Sequence, residues 1–322
     1  MFIRFFRNSY IQQYIVFFVF AIALWIPTFL NPPYIAAQNP SSPLYNLLIQ
    51  LTQSKLIWAI LAFVLLLLQS LFFNLILTNN EFIRKTSLLG SFIYFTFMSH
   101  HASFQHFSPA LMSHFFILFT IYFSLNMYGK EDVLRDSFRL GFYIGLASLL
   151  YLPSIFFLAL IFSTLLLFRV TYWRQWIIPI FSFLTPYLFL FTYYFVSDKL
   201  YIFESYFHNF LNGISINWPY DGMLSIIISI AYGIIILISF LHLMGRKHEK
   251  NLHFRKKTTF FIYLLIISIV SLLVSTESMI SFTTYIIPIS FIVAVFFNNL
   301  KKLIWVDIFF SIIIILMLIN IY

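Results

Sequence analysis

Two constellations of side chains in this chain have the types and spacing to do chemistry. Glu204, His208 and Asn212 recur at i, i+4 and i+8, on one face of a helix whose other face carries Leu200, Phe203, Phe207, Phe210 and Leu211. A carboxylate and an imidazole one turn apart can act as base and acid, and the same pair also suits a solvated face closed by a side-chain hydrogen bond. Asp221, three residues after Trp218, joins Asp198 and Glu204 as the carboxylates of one segment, 197–222. The second constellation is imidazole: His100, His101 and His106, with His114 just beyond. Neutral imidazole is a common metal ligand, but these intervals match no zinc spacing, and no second histidine cluster completes a site. No metal is therefore assigned. The histidines are expected to line a cavity, where they and His208 and Trp218 could bind substrate.

Other chemistries have no residues to run on. There is no cysteine, which removes thiolate nucleophiles, thiolate metal sites and disulfides. No phosphate-binding loop, dinucleotide fingerprint, G-x-S-x-G or H-E-x-x-H occurs. No cofactor follows from any motif.

The elements that must hold these residues are set by an extreme composition. Of 322 residues 61% are hydrophobic and only 9% charged, against about a quarter charged in soluble domains. Mean hydropathy is +0.94. The solvent is lipid, and the chain reads as a single all-α integral membrane domain. The formal net charge of +9 does not imply nucleic acid, because the basic residues sit in short clusters between apolar runs, as the positive-inside rule produces. Within the expected spans the only charge is Asp307, which argues against ion pathways and proton relays.

Expected spans are 14–30, 56–77, 87–99 and 109–127, then a long apolar stretch, 140–168, interrupted by Pro153. The remaining five are 175–195, 223–244, 258–275, 282–297 and 303–322. The poor cleavage pattern at Ile35-Ala36-Ala37 makes the first an uncleaved helix. The stretch 140–168 controls the parity of every later loop. As one helix it would place Arg169, Arg174 and the cluster 246–257 outside; as two short helices turning at Pro153 it brings them inside. With the hairpin, all Lys and Arg except Lys55 and Lys199 share the cytoplasmic side. The expectation is about eleven segments, amino terminus in and carboxyl terminus out. Cytoplasmic loops fall at about 78–86, 128–139, 169–174 and 245–257, and outer loops at about 31–55, 100–108 and 197–222. Spans of about 13 residues cannot cross ~30 Å of hydrocarbon unaided. Their ends must meet protein or water, which implies a cavity open to the outer face.

Within the first outer loop, Leu44, Leu47, Leu48 and Leu51 follow helical spacing, and Asn46, Gln50 and Gln53 take the opposite face. Ser42 as N-cap and Pro43 at the first helical position form a good start. This predicts an amphipathic helix in the interface. On the cytoplasmic side, Glu131 with Arg135 and Asp136 with Arg139 have ion-pair spacing.

The segment 80–168 has a short helix, an outer turn with Ser108-Pro109, and a helix ending in a charged turn. The run Leu140-Gly141-Phe142-Tyr143-Ile144-Gly145-Leu146-Ala147 then leads to Pro153. This plan resembles the GT-C superfamily of polyprenyl-phosphate-sugar glycosyltransferases. Gly141 and Gly145 would also let helices approach closely. The whole chain is similar to a polytopic integral membrane protein family of the Bacteroidetes, which carries no function over. The superfamily resemblance implies a GT-C-like core in a bacterial inner membrane that binds a lipid-linked, polyprenyl-phosphate type substrate in envelope biogenesis. Active members carry an acidic residue in the first outer loop, where 31–55 has none. Either Glu204 or Asp221 is the catalytic carboxylate, or the fold is retained without transfer chemistry. The alternative function is a non-catalytic subunit or scaffold of an envelope assembly or secretion complex, with a protein partner.

Overall fold

A computed structural model describes residues 2–7, 12–33, 42–50, 52, 54–130, 132–201, 223–246, 251–273, 283–300 and 304–321. All regular structure among them is helical. In chain order the helices are α1 (Phe2–Arg7), α2 (Gln12–Leu30), α3 (Pro43–Ile49), α4 (Lys55–Asn79), α5 (Leu89–Met98), α6 (Pro109–Asn126) and α7 (Leu134–Leu150). After a 3-10 segment, Leu152–Phe157, come α8 (Leu158–Leu167), α9 (Trp173–Val196), α10 (Met223–Arg246), α11 (Leu252–Leu273), α12 (Ile286–Asn299) and α13 (Ile304–Ile321). Five of them, α2, α4, α6, α9 and α10, are long and apolar enough to cross a membrane, and α5, α8, α12 and α13 add shorter apolar helices. Ile15, Val19, Ile22 and Ile26 on α2 are exposed, as are Ile177, Phe181, Leu184 and Leu188 on α9 and Ile230, Ile234, Leu237 and Leu241 on α10. Apolar faces this long belong against hydrocarbon, and they mark an integral membrane protein in contact with lipid.

Helix α5 is the centre of the bundle, since each of its ten residues is buried. It packs against α4 and α12. Polar side chains fix it in place: Asn74 donates to Ser87 O (2.9 Å) and accepts from Gly90 N (3.1 Å), and Ser91 Oγ donates to Ser70 O (3.0 Å). At mid-depth Tyr94 donates to Gln69 Oε1 (3.2 Å) while Gln69 Nε2 donates to Leu111 O (2.6 Å), joining α4, α5 and α6. Inside lipid such groups have no water to fall back on, and the side chains of Gln69, Asn74, Ser91 and Tyr94 are paired within the protein.

The stretch 140–168 divides as expected. Tyr151 leaves the helix at φ −144°, ψ 103°, and Pro153 sits in the 3-10 turn. The decisive geometry is between α7 and α9. Gly141 abuts Pro179 and Ser182, Gly145 abuts Phe183 and Pro186, and Tyr187 donates to Ser148 Oγ (2.8 Å). Leu149 lies against Leu190 and Tyr194. The partner number rises along both helices, so α7 and α9 run parallel. A parallel pair requires the intervening chain to return the length of α7, and α8 makes that return. The reversal at Pro153 is therefore a feature of the fold.

Two rims result. At one, Lys257 donates to Asn80 Oδ1 (2.6 Å), Arg7 to Leu300 O (2.7 Å) and Asn298 to Phe82 O (3.4 Å). Lys256 lies over Tyr128 (5.3 Å) and Arg139 over Phe123 (4.8 Å), and Tyr128 meets both Phe168 and His253. This rim gathers the ends of α4, α6, α8 and α12 with the starts of α7, α9 and α11, and with them the described basic residues other than Lys55 and Lys199. Asp136 takes both Lys130 (2.6 Å) and its expected partner Arg139 (3.4 Å); Glu131 lies outside the described residues. Asp307, the charge expected inside a span, accepts the backbone N–H of Ile3 (2.9 Å) and ties α1 to the start of α13.

Helix α3 begins at Pro43 as the sequence suggests, but Ser42 makes no side-chain cap. Its orientation corrects the simple amphipathic reading. Leu44 and Leu47 pack on the Leu149–Leu190–Tyr194 cluster, yet Asn46 is also buried, at 9% exposure. The cause is Tyr45, whose hydroxyl donates to Phe107 O (3.0 Å) and draws that face inward. Gln50 is left exposed.

Candidate functional site

The charge-poor rim holds the histidine segment 99–108, which runs from the end of α5 to the start of α6. Local chemistry shapes it. His101 accepts the N–H of Ser103 at Nδ1 (3.2 Å) and caps the 3-10 turn Ala102–Phe104. Ser108 Oγ accepts the N–H of Leu111 (3.2 Å) and, with Pro109 following, starts α6.

The segment is bound to its surroundings more tightly than an open loop. Gln105 is wholly buried, donates to Ser99 O (2.9 Å) and accepts from Thr28 Oγ1 (2.7 Å). Trp25 donates to Ser99 Oγ (3.0 Å). Phe107 packs between Tyr45 and Trp58 at ring distances of 5.8 and 4.6 Å. The result is a polar plug between α2, α3, α4 and α10, with α3 across it. None of Trp25, Thr28, Tyr45 and Gln105 figures in the sequence-derived site. The available signal was Thr28, a hydroxyl near the end of an apolar run, at the level where a polar outer loop returns.

His100 faces α10 across Tyr232 (5.5 Å between rings) and stacks near Phe104 (4.9 Å). Its Nδ1 lies 2.6 Å from Phe97 O, so that nitrogen carries the proton and donates. Burial pushes the His100 imidazole down to about 4, and burial also lowers His106, which a backbone hydrogen bond at Ser103 partly offsets. Both are neutral at pH 7. They can exchange hydrogen bonds with a ligand but provide no positive charge for a phosphate. His100 is also far from the pKa near 7 that an efficient general base needs.

His114 stands apart from the other three. It is fully buried on α6, and among the described residues neither ring nitrogen has a hydrogen-bond partner. Among the described residues no three His, Asp or Glu side chains converge on a point. Glu204, His208, Trp218 and Asp221 lie outside the described residues. Asp198 is described, with φ 55° in the turn that ends α9 at the same rim. No family model, curated protein or solved structure matches the chain.

Proposed function

We propose that the chain is a bacterial inner-membrane protein with eleven crossings, amino terminus in and carboxyl terminus out, built on a GT-C-like core. The basic rim is then its cytoplasmic side. It binds a lipid-linked, polyprenyl-phosphate type substrate at the outer face in envelope biogenesis, without classical transfer chemistry. The observation that carries this reading is the histidine plug, a polar, hydrogen-bonded floor at the charge-poor rim of an otherwise apolar bundle. The neutrality of His100 and His106 favours recognition by hydrogen bonds over catalysis. If transfer does occur, its carboxylate is Glu204 or Asp221.

A second reading, a non-catalytic subunit of an envelope assembly or secretion complex, is favoured by how completely Gln105, Trp25, Thr28 and Tyr45 occupy the plug's polar groups. Native mass spectrometry of gently purified protein separates the two. A retained polyprenyl-phosphate or glycolipid is expected from the first reading. A stoichiometric protein partner with bulk phospholipid alone refutes it in favour of the second.

A further inference from the structure

Helix α1 lies along the basic rim and is fixed there by its own backbone. Ile3 and Phe6 are wholly buried, and the Phe6 ring stacks on Phe92 of α5 (4.2 Å). Phe6 O accepts both Leu88 N (3.1 Å) and Ser87 Oγ (3.0 Å), and Ser87 N in turn donates to Arg84 O (3.0 Å). The turn closed by that last bond brings Arg84 beside Arg7, the residue after Phe6. Arg7 is held as well, since its Nη1 donates to Leu300 O (2.7 Å) where α12 ends.

The two guanidiniums act on each other: burial lowers the pKa of Arg7, and the like charge of Arg84 lowers it further. Among the described residues no carboxylate is paired with either arginine. The described acids nearest in the fold are engaged elsewhere. Asp307 accepts the N–H of Ile3 at the far end of α1 (2.9 Å), and Glu81 lies close enough to Lys257 and His253 to act on both. The adjoining chain contains no acid either, reading Asn8-Ser9-Tyr10-Ile11 after Arg7 and Lys301-Lys302-Leu303 after Leu300. The fold thus holds two like charges together and leaves their counter-charge to come from outside. Arg7 is half-buried and Arg84 exposed, so a ligand can reach both. Lipid is at hand: Tyr14 and Ile15 open the exposed face of α2 shortly after Arg7, Ile304 and Ile308 open that of α13 shortly after Leu300, and α13 packs on both α1 and α2. Hydrocarbon-facing stripes that begin here put phospholipid headgroups level with the two arginines.

We infer that α1, the turn at Arg84 and the end of α12 form a site for an anionic phospholipid, its phosphate held between the Arg7 and Arg84 guanidiniums. Guanidinium groups suit phosphate because they offer it paired N–H donors, and basic sites between helices on the cytoplasmic side take anionic headgroups. A zwitterionic headgroup brings its own cation to the same place and gains less. The inference rests on the basic rim lying at the membrane surface and not on the outer-face substrate, so either can fail alone.

The test is native mass spectrometry of the full chain in delipidating detergent, titrated with phosphatidylglycerol and phosphatidylethanolamine of matched chains. Phosphatidylglycerol should bind more tightly, and Arg84→Gln should cut its affinity about fivefold, the equivalent of the ~1 kcal/mol that a cation near the headgroups contributes. Arg7→Gln should do the same, with phosphatidylethanolamine binding little changed in either. Arg174→Gln removes a charge from another part of the same rim, and screening should hold its effect on phosphatidylglycerol to about twofold or less. Because Arg7→Gln also gives up the bond to Leu300, thermal melts supply an independent readout: phosphatidylglycerol should raise the midpoint of the unsubstituted protein and leave that of Arg84→Gln unchanged. Inorganic phosphate is the competing soluble source; if it raises the midpoint as far as the lipid does, the lipid assignment is overturned. Equal affinity for the two lipids, or equal losses in Arg84→Gln and Arg174→Gln, overturns the site.

Discussion

Gly141→Ala isolates the contact on which the topology turns. A Cβ at residue 141 would lie 2.1 Å from the Pro179 carbonyl oxygen and 2.0 Å from Ser182 Oγ. The serine can rotate away, but the carbonyl is backbone. Real Cβ contacts essentially never fall below 3.0 Å, so α7 and α9 must part by about 0.9 Å locally. A gap of ~0.5–1 Å forfeits a quarter to a half of each dispersion contact, and the loss extends along a long parallel interface. Overpacking of this kind costs about 1–3 kcal/mol. Loosening the Tyr187–Ser148 bond adds about 0.6 kcal/mol, for a total of about 2–4 kcal/mol. Gly233→Ala is the control, since a Cβ there meets nothing within 4 Å; helix propensity alone makes that change neutral or stabilising by up to ~1 kcal/mol. Equilibrium unfolding in mixed micelles with SDS, followed by tryptophan fluorescence, measures both. If Gly141→Ala and Gly233→Ala agree within about 0.5 kcal/mol, the close parallel packing of α7 on α9 is wrong, and with it the reversal at Pro153.

Because the chain has no cysteine, single cysteines report sidedness: Lys85→Cys and Arg174→Cys should react with impermeant maleimide from one face, Lys199→Cys and Ala102→Cys from the other. Labelling of Lys85→Cys and Arg174→Cys from opposite faces would falsify the hairpin. Ser154→Cys is a poor reporter because Ser154 is fully buried. Stability should fall on acidification from about pH 6.5 to about 4, because unfolded His100 takes a proton near its usual value while the folded imidazole resists to about 4. The loss is up to ~3 kcal/mol, and thermal melts of His100→Gln should be flatter over that window. Gln105→Leu removes the bonds to Ser99 and Thr28; it should cost about 1–3 kcal/mol and raise hydrogen exchange across 99–108, and unchanged exchange would show that Gln105 does not hold the plug. Lys257→Met leaves Asn80 Oδ1 without its lysine partner at 2.6 Å, and a midpoint drop equivalent to about 1–3 kcal/mol is expected in the same micelle assay.

Much of this arrangement was legible in residue order because its causes are local. Helical class and lipid solvent follow from composition. The helix starts at Pro43 and Pro109 come from a ring that fixes φ at −65° and has no N–H to leave unpaired. The break near Pro153 follows from the same ring, which cannot donate to the helix ladder. Segregation of basic residues to one rim follows from the cost of moving charge through hydrocarbon.

Partner choice was not legible. Gly141 and Gly145 announce a close approach, but any neighbouring helix could have supplied it. In lipid no hydrophobic drive separates one apolar surface from another, so shape decides, and the ridge made by Pro179 and Pro186 fits those gaps. The inward turn of Asn46 depends on Tyr45 finding the Phe107 carbonyl, 62 residues away. The histidines illustrate the same division. Their clustering in one loop is a property of sequence, while the neutrality of His100 and His106 is a property of the side chains that exclude water from them. Only the tertiary structure could show that the starts of α7 and α9 stand side by side at the basic rim, because that follows from the parallel packing of two helices distant in sequence.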